Sequence, residues 1–245
     1  MFIHKEFKPL APPTYRPAVN GEWSISIAPR DTRRVLAYFR NGVPMPAENW
    51  HLKKGSTVWM SLTPMELESQ GYHARMATGN VVVAGLGMGA LVYNLLANPK
   101  VKHVTVVDIN QAVVDLLKLA APWFAVGPRL DVVVMDALKY VPTHPVDTLI
   151  VDIWPNLGQE EAERDTKAMQ ANVQAKVVGW WGQELDLVSW LSIQGFAPPI
   201  TLDNIAAYQK HLGFKLMAAN HHLWPSLALA AASGLVLATM SRPRR

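Results

Sequence analysis

The run Val81-Val82-Val83-Ala84-Gly85-Leu86-Gly87-Met88-Gly89-Ala90 constrains this chain more than any other stretch. β-Branched residues lead into three alternating glycines, and a second apolar run, His103-Val104-Thr105-Val106-Val107, ends in Asp108. Glycine is needed where a strand turns tightly into a helix and the backbone must come close to a ligand. Asp108 stands 23 residues after Gly85, where a carboxylate can accept from a ribose hydroxyl pair, and Ile109 follows it. The pattern predicts a nucleoside-cofactor site formed by Gly85, Gly87, Gly89, Asp108 and Ile109 on a doubly wound α/β sheet.

The organisation around this motif agrees with it. Residues 81–85, 104–108, 130–135, 147–152 and 176–181 read as five strands. Helical patterns over 89–97, 111–120 and 159–174 fall between them, which implies parallel strands with right-handed crossovers. Leu202-Asp203-Asn204 opens a further helix that Gly213 ends. Ahead of the glycine turn, residues 1–20 are rich in proline and read as an extended arm. Trp23-Ser24-Ile25-Ser26-Ile27 alternates as a half-buried strand does, and Thr57-Val58-Trp59-Met60 reads as another. Asn41-Gly42, after the apolar run at 35–39, is a tight-turn signal. The expected architecture is a Rossmann-like, mostly parallel sheet over residues 67–245, preceded by an arm and a small β-rich lobe over 1–66.

Composition narrows the function. Half of the 245 residues are hydrophobic and 17% are charged, which suits a packed core. Cysteine is absent, so disulfides, thiolate metal sites and a cysteine nucleophile are excluded; a cytoplasmic setting is the expectation. The net charge of +4 is scattered until Arg242-Pro243-Arg244-Arg245, so there is no strong nucleic-acid signal. Residues 223–240 are apolar enough to consider as a membrane span, but Pro225 and Gly234 divide them into a buried helix and a buried strand, and no membrane partner is expected. His221-His222 are adjacent, point in different directions on any regular element and do not suggest a metal site. Nine tryptophans leave room for an aromatic pocket or for an interface such as a homodimer's.

Further candidates lie at the ends of the later strands. Asp136-Ala137 ends strand three; on a sheet of this order it lies beside the loop of strand one, where the carboxylate can accept from an adenine amino group. Asp136 can equally cap a helix, as can Asp108. Asp152-Ile153-Trp154-Pro155 ends strand four, at the sheet edge where ligands collect. Asp152 there can serve as a base or position a nucleophilic amine or hydroxyl, and Trp154 can stack a planar substrate or pack in the core. Gln183 and Glu184, after Trp180-Trp181-Gly182, line an acceptor pocket or open the next helix.

From Glu68 to Asp152 the chain resembles the class I S-adenosylmethionine (SAM)-dependent methyltransferase superfamily, in particular its spermidine-synthase-like branch. Gly85-Leu86-Gly87-Met88-Gly89 matches the first loop of SAM enzymes, although with Ala90 it also fits the dinucleotide pattern of nicotinamide oxidoreductases. Glu68-Ser69-Gln70-Gly71-Tyr72-His73 resembles the acidic-then-Tyr-His segment before the glycine loop of aminopropyltransferases. The resemblance implies a SAM-dependent transferase, foremost a methyltransferase with an unidentified acceptor, in which Tyr72 and His73 join Asp152 at the acceptor. Aminopropyl transfer from decarboxylated SAM and a binding module without turnover are the alternatives. Two departures bear on them: Met88 stands where aminopropyltransferases carry an acid, and Asp152 has no second acid in its motif.

Overall fold

The computed structural model describes residues 8–217 except 30, 40, 41, 126, 197 and 198, together with Ala219 and Ala228. His221-His222, the apolar stretch 223–240, the arginine tail and Asn41 of the Asn41-Gly42 turn lie outside the described residues.

The N-terminal part forms an antiparallel sheet of β1 (Ala18–Asn20), β2 (Trp23–Ile27), β5 (Trp50–Lys54) and β6 (Thr57–Ser61), in the order β1-β2-β5-β6. Between β2 and β5, β3 (Arg34–Val35) and β4 (Val43–Pro44) make a two-stranded ribbon. Alternation predicts which face is inside: Trp23 and Ile25 of β2, with Trp50 and Leu52 of β5, are buried. β1 begins inside what the sequence presents as an extended arm, because its backbone pairs with the far side of β2.

Two helices of six residues, α1 (Pro64–Ser69) and α2 (Gly71–Met76), lead to the second sheet. That sheet contains β7 (Gly79–Ala84), β8 (Val101–Asp108), β9 (Leu130–Val134), β10 (Thr148–Val151) and β11 (Val177–Trp180). All of its pairings are parallel, and the order is β11-β10-β7-β8-β9. The chain therefore winds outward from β7 in one direction, returns to β10 and winds in the other, as expected of a doubly wound sheet. One expectation needs correction. β9 pairs with β8, not with β7, so Asp136 lies beside the end of strand two rather than beside the loop of strand one.

A sheet covered on both faces needs apolar residues at successive positions, and β7 supplies them from Val81 to Ala84. Val81 and Val83 point into one core, against α3 (Ala90–Ala97) and α4 (Gln111–Ala120). Val82 and Ala84 point into the other, which holds α5 (Ala162–Val173), α6 (Gln183–Ile193) and α7 (Leu202–Leu212). Trp23, Ile25 and Leu52 of the antiparallel sheet join the first core. Asn20 Nδ2 donates to the Ala112 carbonyl at 2.9 Å, fixing the edge of that sheet to the start of α4. The small sheet is thereby brought over the carboxyl ends of the parallel strands.

Candidate functional site

Between the two sheets lies a cavity of about 690 Å³, within the usual range for small-molecule sites. Its floor is the glycine turn. Gly85 has φ 93° and Gly87 φ 51°, in the left-handed region where side chains are strained. A Cβ on Gly85 would stand 2.0 Å from the Asp152 carbonyl oxygen, so glycine is what lets β7 and β10 end side by side. A Cβ on Gly87 would meet Met60 Sδ at 2.6 Å. The peptide around Met88 is held from both sides: its N–H donates to Met60 Sδ at 3.1 Å, and its carbonyl accepts from the Tyr15 hydroxyl at 2.7 Å. Met88 itself is fully buried.

Asp108 ends β8 and does not cap the next helix; Asn110 does, accepting from the Ala112 N–H at 3.0 Å. One Asp108 oxygen instead accepts from the Leu86 N–H of the glycine turn at 2.8 Å, and the other from Asn110 N–H at 2.7 Å. Each carboxylate oxygen still has capacity to accept a ligand hydroxyl. Asp136 does act as a cap, taking the Leu138 N–H at 3.0 Å for the short turn Ala137–Lys139. Gly85, Gly87, Gly89, Asp108, Ile109, Asp136 and Ala137 all border the cavity. Ile109 borders the cavity with 75% of its surface exposed.

At the other end stand Asp152, Trp154 and Trp181. Trp154 is oriented by α5, its indole N–H donating to Asp165 at 3.1 Å, and the Trp181 indole N–H donates to Ser69 Oγ at 2.8 Å. Asp152 Oδ2 accepts from Gln70 Nε2 at 2.8 Å. Burial nevertheless raises the Asp152 carboxyl, to about 7, with the Gln70 hydrogen bond working against the rise.

Four residues singled out by sequence lie elsewhere. Tyr72, His73, Gln183 and Glu184 are fully buried and do not border the cavity. They pack together behind its wall, where α2 meets the start of α6. Tyr38 donates to Glu184 at 2.9 Å and Tyr72 also hydrogen-bonds Glu184. Gln183 accepts from the Trp180 N–H and donates to the Met217 carbonyl, both at 3.2 Å. His73 Nδ1 lies 2.9 Å from Gln70 Oε1, and desolvation pushes the ring down to about 3, so it is neutral. Buried polar side chains need partners, and these four find theirs largely in Tyr38, Trp180, Met217 and Gln70; Gln70 links His73 to the cavity.

Two wall residues are not among the candidates that the sequence offers for the site, Glu66 and Gln70. The first had a usable signal. Thr63-Pro64-Met65-Glu66 is a helix-start pattern with proline at the first position and an acid at the third. Thr63 Oγ1 accepts from the Glu66 N–H at 3.4 Å, but the Thr63 N–H donates to Ser61 O rather than to the Glu66 carboxylate. That carboxylate borders the cavity instead. Desolvation, and then the charge of Asp152, raise it to about 8.

Among the described residues no helix is long and apolar enough to cross a membrane, and no cluster of three or more His, Asp or Glu side chains is arranged to hold a metal.

Residues 67–175 match the family model for the spermine/spermidine synthase domain. No curated protein matches. Solved structures that are similar include SAM-bound CalS10, an amino pentose methyltransferase from Micromonospora echinaspora, at 18% identity and TM-score 0.31, covering 41% of each chain. TrmK from M. capricolum, in complex with S-adenosylhomocysteine, shares 15% identity at TM-score 0.32, over 41% of this chain and 43% of that one. A dimethyladenosine transferase from Plasmodium falciparum shares 25% identity at TM-score 0.28, over 38% and 32%. The chain spans less than half the length of these solved relatives, and at such scores the likeness carries no substrate over to it. Together with the glycine turn and the parallel sheet, the family match relates this chain to the SAM-binding Rossmann-like folds of the spermidine-synthase and methyltransferase branch.

Proposed function

We propose that this protein is a SAM-dependent transferase, foremost a methyltransferase. The observation that carries the reading is that one cavity joins the glycine turn, Asp108 and Asp136 at one end to Asp152 at the other. The residues fit the cofactor: the glycine turn, packed so closely on Asp152 and Met60 that Cβ atoms would collide, forms the cavity floor, Asp108 offers carboxylate oxygens to ribose hydroxyls, and Asp136 suits an adenine amino group. When bound, SAM supplies an electrophilic methyl carbon. The chain's own contribution is to hold that carbon and the acceptor in line, to exclude water with Trp59, Trp154 and Trp181, and to accept a proton at Asp152 if the nucleophile carries one.

Aminopropyl transfer from decarboxylated SAM is the second reading, favoured by the spermine/spermidine synthase match. Calorimetric titration with SAM, S-adenosylhomocysteine, decarboxylated SAM and NAD tests both. Binding of the first two is expected. Preference for decarboxylated SAM would move the assignment to aminopropyl transfer, and binding of NAD alone would overturn the SAM reading.

A further inference from the structure

Asp152 lacks a second acid in its own strand-end motif, yet α1, whose C-cap Gln70 bonds Asp152, carries Glu66 to the wall of the same cavity. Glu66 and Gln70 are one turn apart at α1, the Gln70 N–H pointing to the Glu66 carbonyl at 3.4 Å. Side chains four residues apart share a helix face. Gln70 Nε2 reaches Asp152, so the face that carries Glu66 is the one presented to the end of β10. Both carboxyls border the same cavity.

We infer that Glu66 and Asp152 form a carboxyl pair that holds one proton between them at the acceptor end and takes up the proton of an attacking N–H or O–H nucleophile. The placement of the acceptor rests on the transferase reading; the shared proton does not. The orientation of Gln70 supports it. His73, neutral and buried, has Nδ1 at 2.9 Å from Gln70 Oε1, which turns the amide nitrogen towards Asp152 and leaves that carboxyl a fixed donor. A single donor does not compensate two desolvated like charges, so the second carboxyl keeps its proton. Lys54, Asp108 and Asp136 are the other ionisable side chains on the cavity wall, and none of them contributes to the displacement of either acid.

The proton balance closes within the pair. The X–H bond of the acceptor breaks, its electron pair stays on the nucleophilic atom, and the proton joins the ionised carboxylate. The pair then carries two protons and returns to one by releasing a proton to water at the cavity mouth. Neither carboxyl changes covalently, and no metal is required.

The test is a ¹³C NMR pH titration of the side-chain carboxyls of Glu66 and Asp152. In Asp152→Asn the Glu66 midpoint is expected to fall by about one pH unit, the usual size of a close like-charge effect. In Glu66→Gln the Asp152 curve is expected to change from two steps to one. A Glu66 midpoint unmoved in the first variant, or a two-step Asp152 curve retained in the second, overturns the pair; either variant suffices should the other fail to fold.

Calorimetry of SAM and S-adenosylhomocysteine binding, repeated in buffers of different ionisation enthalpy, tests the location. The sulfonium charge of SAM should expel part of the shared proton, so wild type releases more protons with SAM than with S-adenosylhomocysteine, and Glu66→Gln loses that excess. Equal release in wild type would remove the pair from the reacting centre. Coupled titration without SAM binding would overturn the transferase reading and the base role with it, while SAM binding without coupling would overturn the pair alone.

Discussion

The cofactor end and the acceptor end of this cavity are assembled differently. Gly85, Asp108 and Asp136 each sit within two residues of a strand end, and their contacts run to backbone: Asp108 accepts from the Leu86 N–H, Asp136 from the Leu138 N–H, and Gly85 abuts the main-chain carbonyl of Asp152. The acceptor end is made by side chains from distant segments. Gln70 and Asp152 are 82 residues apart, and Ser69 and Trp181 are 112 apart. Substitutions at the first end should therefore damage backbone and binding together. Those at the second should change protonation and leave the fold in place.

The largest effect follows from Gly85→Ala. The new Cβ would overlap a main-chain oxygen, and the residue would have to keep φ at 93°. A loss of about 3 kcal/mol or more is expected in a urea unfolding curve, with SAM binding abolished. Unchanged stability in this variant would mean that the turn relaxes, and the contrast between the two ends would break.

Asp108→Ala comes next. It leaves two backbone N–H groups, Leu86 and Asn110, without their carboxylate acceptor, hydrogen bonds of 2.8 and 2.7 Å. Stability should fall by about 2 kcal/mol. SAM affinity should fall at least about tenfold, or about 1.4 kcal/mol. Calorimetry and thermal melting separate the two losses. A variant that binds SAM as wild type does would exclude Asp108 as the ribose ligand.

The same contrast explains what could be read from sequence. The glycine turn is legible because strand, turn and helix each impose a local rule, and after β8 the same rules give 111–120 the boundaries of α4. Helices α1 and α2 are not legible, since six residues are too few to show a period. With α1 went Glu66 and Gln70, whose importance depends on a contact with β10 that no local pattern encodes. Tyr72 and His73 are singled out by a resemblance and Gln183 and Glu184 by their place after the fifth strand, but sequence does not tell a buried polar cluster from a cavity wall. The order of the strands was the other point beyond reach: both β7 and β8 offer an apolar edge to β9, and packing, not pattern, chooses β8.

pH should sharpen the acceptor side of the comparison. Burial holds protons on Asp152 and Glu66 to about 7 and about 8 in the folded protein, above the ordinary carboxylate range of the unfolded chain. The folded state thus binds more protons than the unfolded state in that window. The contribution of these groups is fully present at acid pH and is lost as pH rises through the folded values. Asp186, pushed up to about 6 by burial, adds a slope of the same sign, and Asp147, held low by Lys176, one of opposite sign. Subtracting the stability curve of Asp152→Asn from that of wild type isolates the acid pair. A difference curve that is flat across this window would mean that the carboxyls are ionised and solvated.

Ile109→Ser should have the smallest effect, and it tests the contrast at its weakest point. At 75% exposure the side chain contributes little to the folded state, so the expected change in stability is within about 0.5 kcal/mol. Yet Ile109 borders the cavity directly after Asp108, where an adenosine moiety would cover it. Burying much of an isoleucine side chain under a ligand is worth about 1.5 kcal/mol or more, so loss of that contact should weaken SAM binding roughly tenfold. A melting temperature unchanged from wild type with weaker SAM binding would show a cofactor-end residue that acts through the ligand alone, apart from the backbone network that ties Gly85 and Asp108 to the fold. If affinity is also unchanged, the adenosine lies away from Ile109, and the apolar rim of the cavity serves some other contact.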